Sequence, residues 1–446
     1  MSKSHIAWLS EYIQINTTAA AGNEEKALLY MKRLAEENGL SAMYLRSAEQ
    51  KGNLVIAIRE EDLRPFQAAS AAFGSPPIVL LSHVDVVEAT ASDWQHPPFS
   101  GAIADEAVWG RGAIDAKQIG MSHLMAMISL KEKSFKRPII QLITCEEETG
   151  SENGLKAFLK QFPSYWKGAL VLNEGGGFPI EVEGQSFYLV ETGQKGNTSF
   201  TVTTSVRKAG NPYMPNQTAA ANAIEIAERI SSYQFPAEQL PASVQTMFSL
   251  IGKQIGLEAS SNWREVIERF PQKYQRFFSA LTKSTMTVTG FQGGKKLGEL
   301  KGAYRLTVDA RPLPNMNEIV FKTVVEKLVR DIDPLAVIEW HPAYQGYDHP
   351  LDESLRWLIE QNLKQKDSAL SVVPFMTIGS NDGRYFEQAG ATVLGYCPML
   401  PEMTFDRVLP LVHGVDERIG IQDFEFGIEQ LTAILEPLTE ASILRR

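Results

Sequence analysis

The stretch Ile78-Val79-Leu80-Leu81-Ser82-His83-Val84-Asp85 decides how this chain reads. Its first four residues form a short apolar run, the pattern of a strand buried on both faces. The run then ends in His and Asp, residue types that bind metals and move protons. Two later runs repeat the arrangement. Ile139-Ile140-Gln141-Leu142-Ile143 leads through Thr144 and Cys145 to Glu146-Glu147-Glu148, and Ala169-Leu170-Val171-Leu172 leads to Asn173-Glu174. Helical patterns lie between the later two, so the three read as strands of a mixed, mainly parallel sheet covered by helices. Ligands of such α/β sheets bind beyond the carboxyl ends of the strands, and that is where these polar residues fall.

Working outward, a further strand is expected at Leu54–Ile58, and Pro65–Pro77, rich in Ala, Ser, Gly and Pro, reads as a surface loop. Ile6, Leu9, Tyr12 and Ile13 recur at helical spacing, so the N-terminus reads as an ordinary amphipathic helix and not as a leader. The rhythm changes in the middle of the chain. Thr198–Val206 alternates like a half-exposed strand, Thr218–Ile230 is helical, Met286–Phe291 and Tyr304–Arg311 are strand-like, Glu318–Arg330 is helical and Ala336–Trp340 is a last strand. That order is a split βαβ, ferredoxin-like layout, with a long excursion after its first helix that has helical periodicity around Trp263–Leu281. The α/β pattern then returns with a helix at Ser354–Leu363, a strand at Ser371–Phe375, a helix at Asp382–Gln388, a strand at Thr392–Tyr396 and a helix near Asp423–Leu435. The economical architecture is one catalytic domain made of residues 1–191 and 345–446, interrupted by a smaller domain at 192–344.

Composition narrows the function classes. Over 446 residues, 44% are hydrophobic and 22% charged, which are ordinary globular values. Lys+Arg 43 against Asp+Glu 53 leaves a net charge of −10. An acidic balance argues against nucleic-acid or anionic-membrane binding, each of which needs a basic face. No run of about 18 apolar residues predicts a membrane span. Cys145 and Cys397 are the only cysteines, which excludes a disulfide scaffold and makes a reduced, cytoplasmic setting the simpler reading.

The polar residues after the strands are joined by two further segments. Trp109-Gly110-Arg111-Gly112-Ala113-Ile114-Asp115 runs directly into the helical stretch Lys117–Leu130, and His413-Gly414-Val415-Asp416-Glu417 is a second histidine-bearing loop. Taken singly, each signal is weak. A lone strand-end His is more often structural, and Glu146-Glu147-Glu148 alone reads as a solvated helix start. Taken together, they gather carboxylates that repel one another and resist burial unless cations compensate them. His nitrogens with Asp and Glu oxygens suit zinc best, with manganese or cobalt as alternatives, and zinc lowers the pKa of bound water to about 7.

These segments resemble the motifs of the di-zinc exopeptidase family that includes aminoacylases, carboxypeptidase S, glutamate carboxypeptidase, acetylornithine deacetylase, succinyl-diaminopimelate desuccinylase and bacterial dipeptidases. Ser82–Val87 is similar to the family's first metal motif. Trp94–Gly101 is similar to the stretch that follows it, Trp109–Asp115 with Lys117 to Gly-Arg-Gly-x-x-Asp-x-Lys, and Glu146–Ser151 to the third motif. The resemblance implies a zinc exopeptidase-like sheet with an inserted lid and dimerisation domain, two divalent ions and a homodimer. It also implies a small peptide or N-acyl amino acid as substrate. By position it implies Asp115 as the bridging ligand, His83 and Glu174 on one ion, Glu148 and His413 on the other, Glu147 as general base and Asp85 orienting His83. It further implies a cis peptide at Asp115-Ala116. Gly379–Phe386 is similar to the family's Gly-x-x-Asp-x-Arg-x-Phe segment and assigns Arg384 to a substrate carboxylate, while Val308–Pro314 matches the lid's exit strand and turn, with Arg311 structural.

Two places depart from the family. Its lid carries a His that polarises the scissile carbonyl, and here the aligned run Gly210-Asn211-Pro212-Tyr213-Met214-Pro215 has Asn211 in that position. An amide can still donate a hydrogen bond but carries no charge. A later Asn-containing segment becomes Leu297-Gly298-Glu299-Leu300. Two readings therefore stand: a metal-dependent hydrolase cleaving an amide next to a free carboxylate, or a metal-bearing relative that binds an amino-acid-like ligand or partner with weak or lost hydrolysis.

Overall fold

The computed structural model describes residues 4–67, 72–204, 218–236, 239–258, 262–293 and 303–439. Asn211 and the Leu297–Leu300 segment lie outside the described residues.

The apolar runs make strands because both of their faces are covered. In the strand Ile78–His83 every residue is buried, and its side chains alternate between two cores. Ile78 and Leu80 join one hydrophobic cluster with the helices His5–Ile13, Glu24–Glu37, Lys117–Leu130, Glu353–Leu363 and Ile421–Leu438. Val79 and Leu81 join another on the opposite face with Phe158, Trp166 and Phe386. This is the two-residue period of a pleated strand expressed as two separate cores.

Among the described residues, ten strands make the main sheet. Its principal path runs Ser41–Ala48, Lys51–Ala57, Ile139–Thr144, Ile78–His83, Leu170–Asn173, Thr392–Gly395, Gln185–Gln194, Tyr347–Asp348, with Phe178–Val182 and Ser371–Thr377 also paired to Gln185–Gln194. The centre of the sheet is parallel. Ile78–His83 pairs in parallel with both Ile139–Thr144 and Leu170–Asn173, and Thr392–Gly395 continues in parallel beside Leu170–Asn173. The residues that follow the first three strands therefore leave the sheet at one edge.

The strand Gln185–Gln194 was not expected from the sequence, nor were Ser41–Ala48 and Phe178–Val182. Gln185–Gln194 buries Glu191, Thr192 and Gln194, and those polar residues hide the apolar pattern by which a buried strand is recognised.

A second sheet of four antiparallel strands runs in the order Thr285–Gly293, Tyr304–Arg311, Phe200–Thr203, Val337–Trp340. The helices Ala219–Ser232 and Glu318–Arg330 share its core through Ile226, Ile230, Phe321, Val325 and Val329. Both start on a side-chain cap: the Thr218 hydroxyl accepts the Ala221 N–H, and the Asn317 amide oxygen accepts the Ile319 and Val320 N–H groups. This is the expected ferredoxin-like layout.

The helical excursion has a different partner. Its helices Ala242–Gln254, Trp263–Glu268 and Gln272–Ala280 pack on the far side of the ten-stranded sheet. There Val244, Met247, Phe248, Ile251 and Phe278 meet Phe187, Leu189, Val373 and Phe375. Lys195, fully buried where the chain leaves Gln185–Gln194, donates to the carbonyls of Ala280 and Lys283 and so fastens the end of the last helix to the crossover.

Phe278 is fully buried against Phe270, Tyr274, Phe375 and Phe405. Phe278→Ala is expected to destabilise the protein by about 3–5 kcal/mol, read from the urea-unfolding midpoint. A loss below about 1 kcal/mol would show that these helices are not part of the main core.

Candidate metal centre

Five carboxylates and two histidines converge at the shared sheet edge. His83 ends its strand and is 2% exposed. Its Nδ1 lies 2.9 Å from the Asp85 carbonyl oxygen, and its Nε2 lies 2.9 Å from Asp115 Oδ1 and 3.5 Å from Glu174 Oε2. From the other side, His413 Nε2 lies 2.9 Å from Glu148 Oε1 and 3.1 Å from Asp115 Oδ2. The two oxygens of Asp115 thus face two different imidazoles. Ligand atoms of His83, Glu147 and Glu174 lie within 4.8 Å of one another, as do those of His83, Asp115 and Glu148. Imidazole nitrogens and carboxylate oxygens at this separation are a donor set that fits divalent cations of the zinc class. The Asp115-Ala116 peptide is cis.

Local structure explains the aim of each group. Glu147 and Glu148 stand on the single 3-10 turn Glu147–Thr149. Asp85 holds that turn: its Oδ1 accepts the Glu147 N–H and its Oδ2 the Glu148 N–H, both at 3.0 Å. The Asp85 carboxylate therefore orients the two glutamates and also lies 3.6 Å from His83 Nδ1, with the carbonyl oxygen of the same residue nearer to that nitrogen. The Asp115 loop is held by Glu417, which is fully buried. Its Oε1 accepts the N–H groups of Gly112, Ile114 and Asp115 at 3.1, 2.7 and 3.0 Å, and its Oε2 pairs with Arg111 Nη1 at 2.7 Å. Arg111 also donates to the His413 carbonyl at 3.3 Å. A small sheet in which Arg418–Gly420 pairs with Ala107–Trp109 ties the two loops together. Glu417 and Arg111 sit inside runs recognised in the sequence, but no local pattern signals their pairing.

Charge crowding is visible in the proton affinities. Burial and the neighbouring Glu174 hold Glu147 well above the usual carboxylate range, and burial pushes Glu174 up to about 7. For Asp115 burial acts upward, but hydrogen bonds from His413 and His83 win and hold it well below its ordinary value. Bonds to Asp115 and Glu148 raise His413 to about 10. For His83, the charge of Glu174 and its bonded carboxylates outweigh burial and raise it. Both imidazoles thus stand in for positive charge that the carboxylates demand.

A second polar layer lies beneath. Glu191 accepts from the Gln194 amide at 3.0 Å and from the Tyr347 hydroxyl at 3.2 Å, and burial pushes its pKa up to about 8. Asn381 bridges the layers, its Nδ2 lying 3.3 Å from the Glu174 carbonyl. Gly175 is required here, since a Cβ at that position would fall 1.9 Å from Glu191 Oε2. Glu191 had no signal in the sequence, and Asn381 lies inside the recognised run Gly379–Phe386 without having been singled out.

Arg384 is buried near the cluster. Its guanidinium stacks on the rings of Tyr344 and Tyr385, 4.6 and 4.4 Å from their centroids. Nη1 donates to the Asn381 carbonyl at 2.6 Å, Nη2 lies 3.9 Å from Asp382 Oδ1, and Nε has no partner. A cavity of about 370 Å³ opens onto the cluster, lined by Asp115, Glu147, Glu148, Glu174 and His413 together with apolar side chains such as Phe375 and Phe405.

The model of the Peptidase family M20/M25/M40 matches residues 79–436. The chain belongs to this family. It is similar to the probable carboxypeptidase S-like 2 of Dictyostelium discoideum, 26% identical over 373 residues covering 78% of this chain and 69% of the relative. It is also similar to the human N-fatty-acyl-amino acid synthase/hydrolase, 22% identical over 384 residues covering 81% of this chain and 74% of that one. Among solved structures, the M20 family metallo-carboxypeptidase of Sulfolobus solfataricus has the same fold, with a TM-score of 0.71 at 16% identity over 98% of this chain and 99% of the other. The M20 relatives are hydrolases, and this chain is placed among them. Among the described residues no helix is long and apolar enough to cross a membrane.

Removing Glu417 would strand three N–H groups and a buried guanidinium. Glu417→Ala is expected to cost about 3–5 kcal/mol of stability and to weaken divalent-metal binding at the Asp115 loop. Chemical denaturation and calorimetric zinc titration check the two effects, and unchanged zinc affinity would remove Glu417 from the support of the site.

Proposed function

We propose that this M20 member is a hydrolase using two divalent cations, zinc first with cobalt or manganese as alternatives, that cleaves a peptide or N-acyl amide bond beside a free carboxylate. The observation that carries this reading is the division of one carboxylate between two imidazoles, Asp115 Oδ1 toward His83 and Oδ2 toward His413. Asp115 would bridge the ions, with His83 and Glu174 completing one site and Glu148 and His413 the other. Bound there, the ions would supply Lewis acidity toward the substrate carbonyl and ionise water near neutral pH.

Glu147 serves as the general base. It takes a proton from the attacking water and delivers it to the leaving amine nitrogen. Asp85 keeps Glu147 and Glu148 in register through their N–H groups. Arg384 receives the substrate carboxylate; its free Nε and its proximity to the charge of Glu147 support this role. Asn211, outside the described residues, is assigned to the substrate by its position in the sequence alone. The reading as a ligand binder without efficient hydrolysis is disfavoured by the relatives, which are hydrolases.

The catalytic domain comprises 1–191 and 345–446. The intervening 192–344 forms a lid through which two copies pair as a homodimer, with its helical excursion docked back on the catalytic sheet. Both cysteines are free thiols, which supports a reducing, cytoplasmic setting.

Glu147→Gln tests the mechanism. Turnover of dipeptides and N-acyl amino acids is expected to fall by at least about 10²–10⁴-fold while bound zinc, measured by elemental analysis, stays unchanged. Full activity in this variant would end the assignment of Glu147 as base.

A further inference from the structure

Asn381 is buried and is bonded both to the Glu174 segment and to Arg384. Its side chain reaches one way: Nδ2 donates to the Glu174 carbonyl at 3.3 Å and to Glu191 Oε1 at 3.4 Å. Its main chain reaches the other, the Asn381 carbonyl accepting Arg384 Nη1 at 2.6 Å. One residue therefore joins the segment carrying a carboxylate of the metal centre to the guanidinium assigned to the substrate carboxylate.

The surroundings leave this link little freedom. Gln194, the last residue of the strand Gln185–Gln194, grips Asn381 twice: its Oε1 accepts the Asn381 N–H at 3.3 Å and its Nε2 donates to Asn381 Oδ1. Oδ1 also accepts the Gly383 N–H at 3.0 Å, an Asx turn that leads into the helix Gly383–Gln388. Glu191 Oε1, which takes the Asn381 amide, takes Gln194 Nε2 and the Tyr347 hydroxyl as well. The other Glu191 oxygen has no hydrogen-bond partner and packs against Gly175, so the same cluster meets the Glu174–Gly175 segment at a second point. On its own side, Arg384 is fixed between the faces of Tyr344 and Tyr385, and its Nη2 donates to the Tyr385 hydroxyl at 3.0 Å.

We infer that Asn381 is a positioning residue that sets the span between the metal centre and Arg384, and that this span selects the number of atoms between the scissile amide and the free carboxylate of the substrate. The inference rests on Arg384 as the receiver of that carboxylate in the hydrolase reading above. A substrate held there is fixed at two points, its carbonyl at the metal centre and its carboxylate at Arg384. With both points rigid, a substrate one methylene too long satisfies only one of them, and a misplacement of about 1 Å costs about 10²-fold in rate. Asn381 supplies the rigidity, because a buried amide with both ends engaged loses hydrogen bonds in any other orientation.

The test uses the full-length protein loaded with zinc and two compounds, N-acetylglycine and N-acetyl-β-alanine, which differ by one methylene between amide and carboxylate. The kcat/KM of N-acetylglycine is expected to exceed that of N-acetyl-β-alanine by at least about 10²-fold. Asn381→Ser keeps a hydroxyl for the turn to Gly383 but is too short to reach the Glu174 carbonyl. In this variant the ratio is expected to fall to about tenfold or less, chiefly through a lower kcat for N-acetylglycine. A merely structural role would lower both compounds alike and leave the ratio unchanged. Gln194→Met releases Asn381 from its other side, should also lower the ratio, and decides the matter if the Ser variant does not fold. Calorimetry in a Glu147→Gln background is the second readout: N-acetylglycine should bind more tightly than N-acetyl-β-alanine, by a margin that Asn381→Ser reduces. Turnover with a ratio near one in the unsubstituted protein, or with a ratio that neither substitution changes, would overturn the role of Asn381 and leave the hydrolase reading intact. Selective binding that depends on Asn381, with no turnover of either amide by the unsubstituted protein, would uphold that role and overturn the hydrolase reading. Neither turnover nor selective binding would overturn the role of Asn381.

Discussion

Neighbouring strands in a parallel sheet lie about 4.8 Å apart, and that spacing sets the dimensions of the candidate site. Ile78–His83 sits between Ile139–Thr144 and Leu170–Asn173, all three pointing the same way. The first residues beyond them must therefore emerge within one or two strand spacings of each other. His83, the Glu147–Glu148 turn and Glu174 need no long side-chain reach to meet. Parallel pairing in turn requires helical crossovers, and the crossover helix Lys117–Leu130 starts immediately after Asp115, bringing a fourth group to the same edge.

That geometry creates an electrostatic problem that the surroundings answer in two ways. Backbone N–H groups neutralise carboxylates that are not needed at the centre: Asp85 takes two and Glu417 takes three. The carboxylates that remain face two imidazoles and one another, and the upward displacement of Glu147 and Glu174 comes first from burial and then from the charge of neighbouring carboxylates. Such a cluster is a poor structural element on its own, because buried anions without compensation are costly. It is consistent with a place prepared for cations.

The helical excursion belongs to the second sheet in sequence and to the first in packing. It arises within the ferredoxin-like layout yet shares its core with Phe187, Leu189 and Phe375 of the main sheet. Buried Lys195 holds its end to the crossover between the sheets. An element that anchors the second sheet's chain to the first thereby also forms a wall of the cavity.

The local chemistry of the chain determined most of the elements. Tyr304–Arg311 and Glu318–Arg330 occupy their expected bounds, because alternation, an Asn cap and a clear apolar face are properties of contiguous residues. The residues gathered at the sheet edge were legible for a related reason: each is the polar end of an apolar strand or lies in a Gly-rich run, and together these runs resemble one family's motifs. Only the tertiary structure decided the rest. The Glu417–Arg111 pair spans residues about three hundred positions apart, Gln185–Gln194 hides its strand character behind polar residues bound inside the site, and the amphipathic helices around Trp263–Ala280 declare an apolar face without naming the surface that covers it. Periodicity specifies which side of an element avoids water. Which other element meets it depends on packing among distant segments, and no local pattern encodes that.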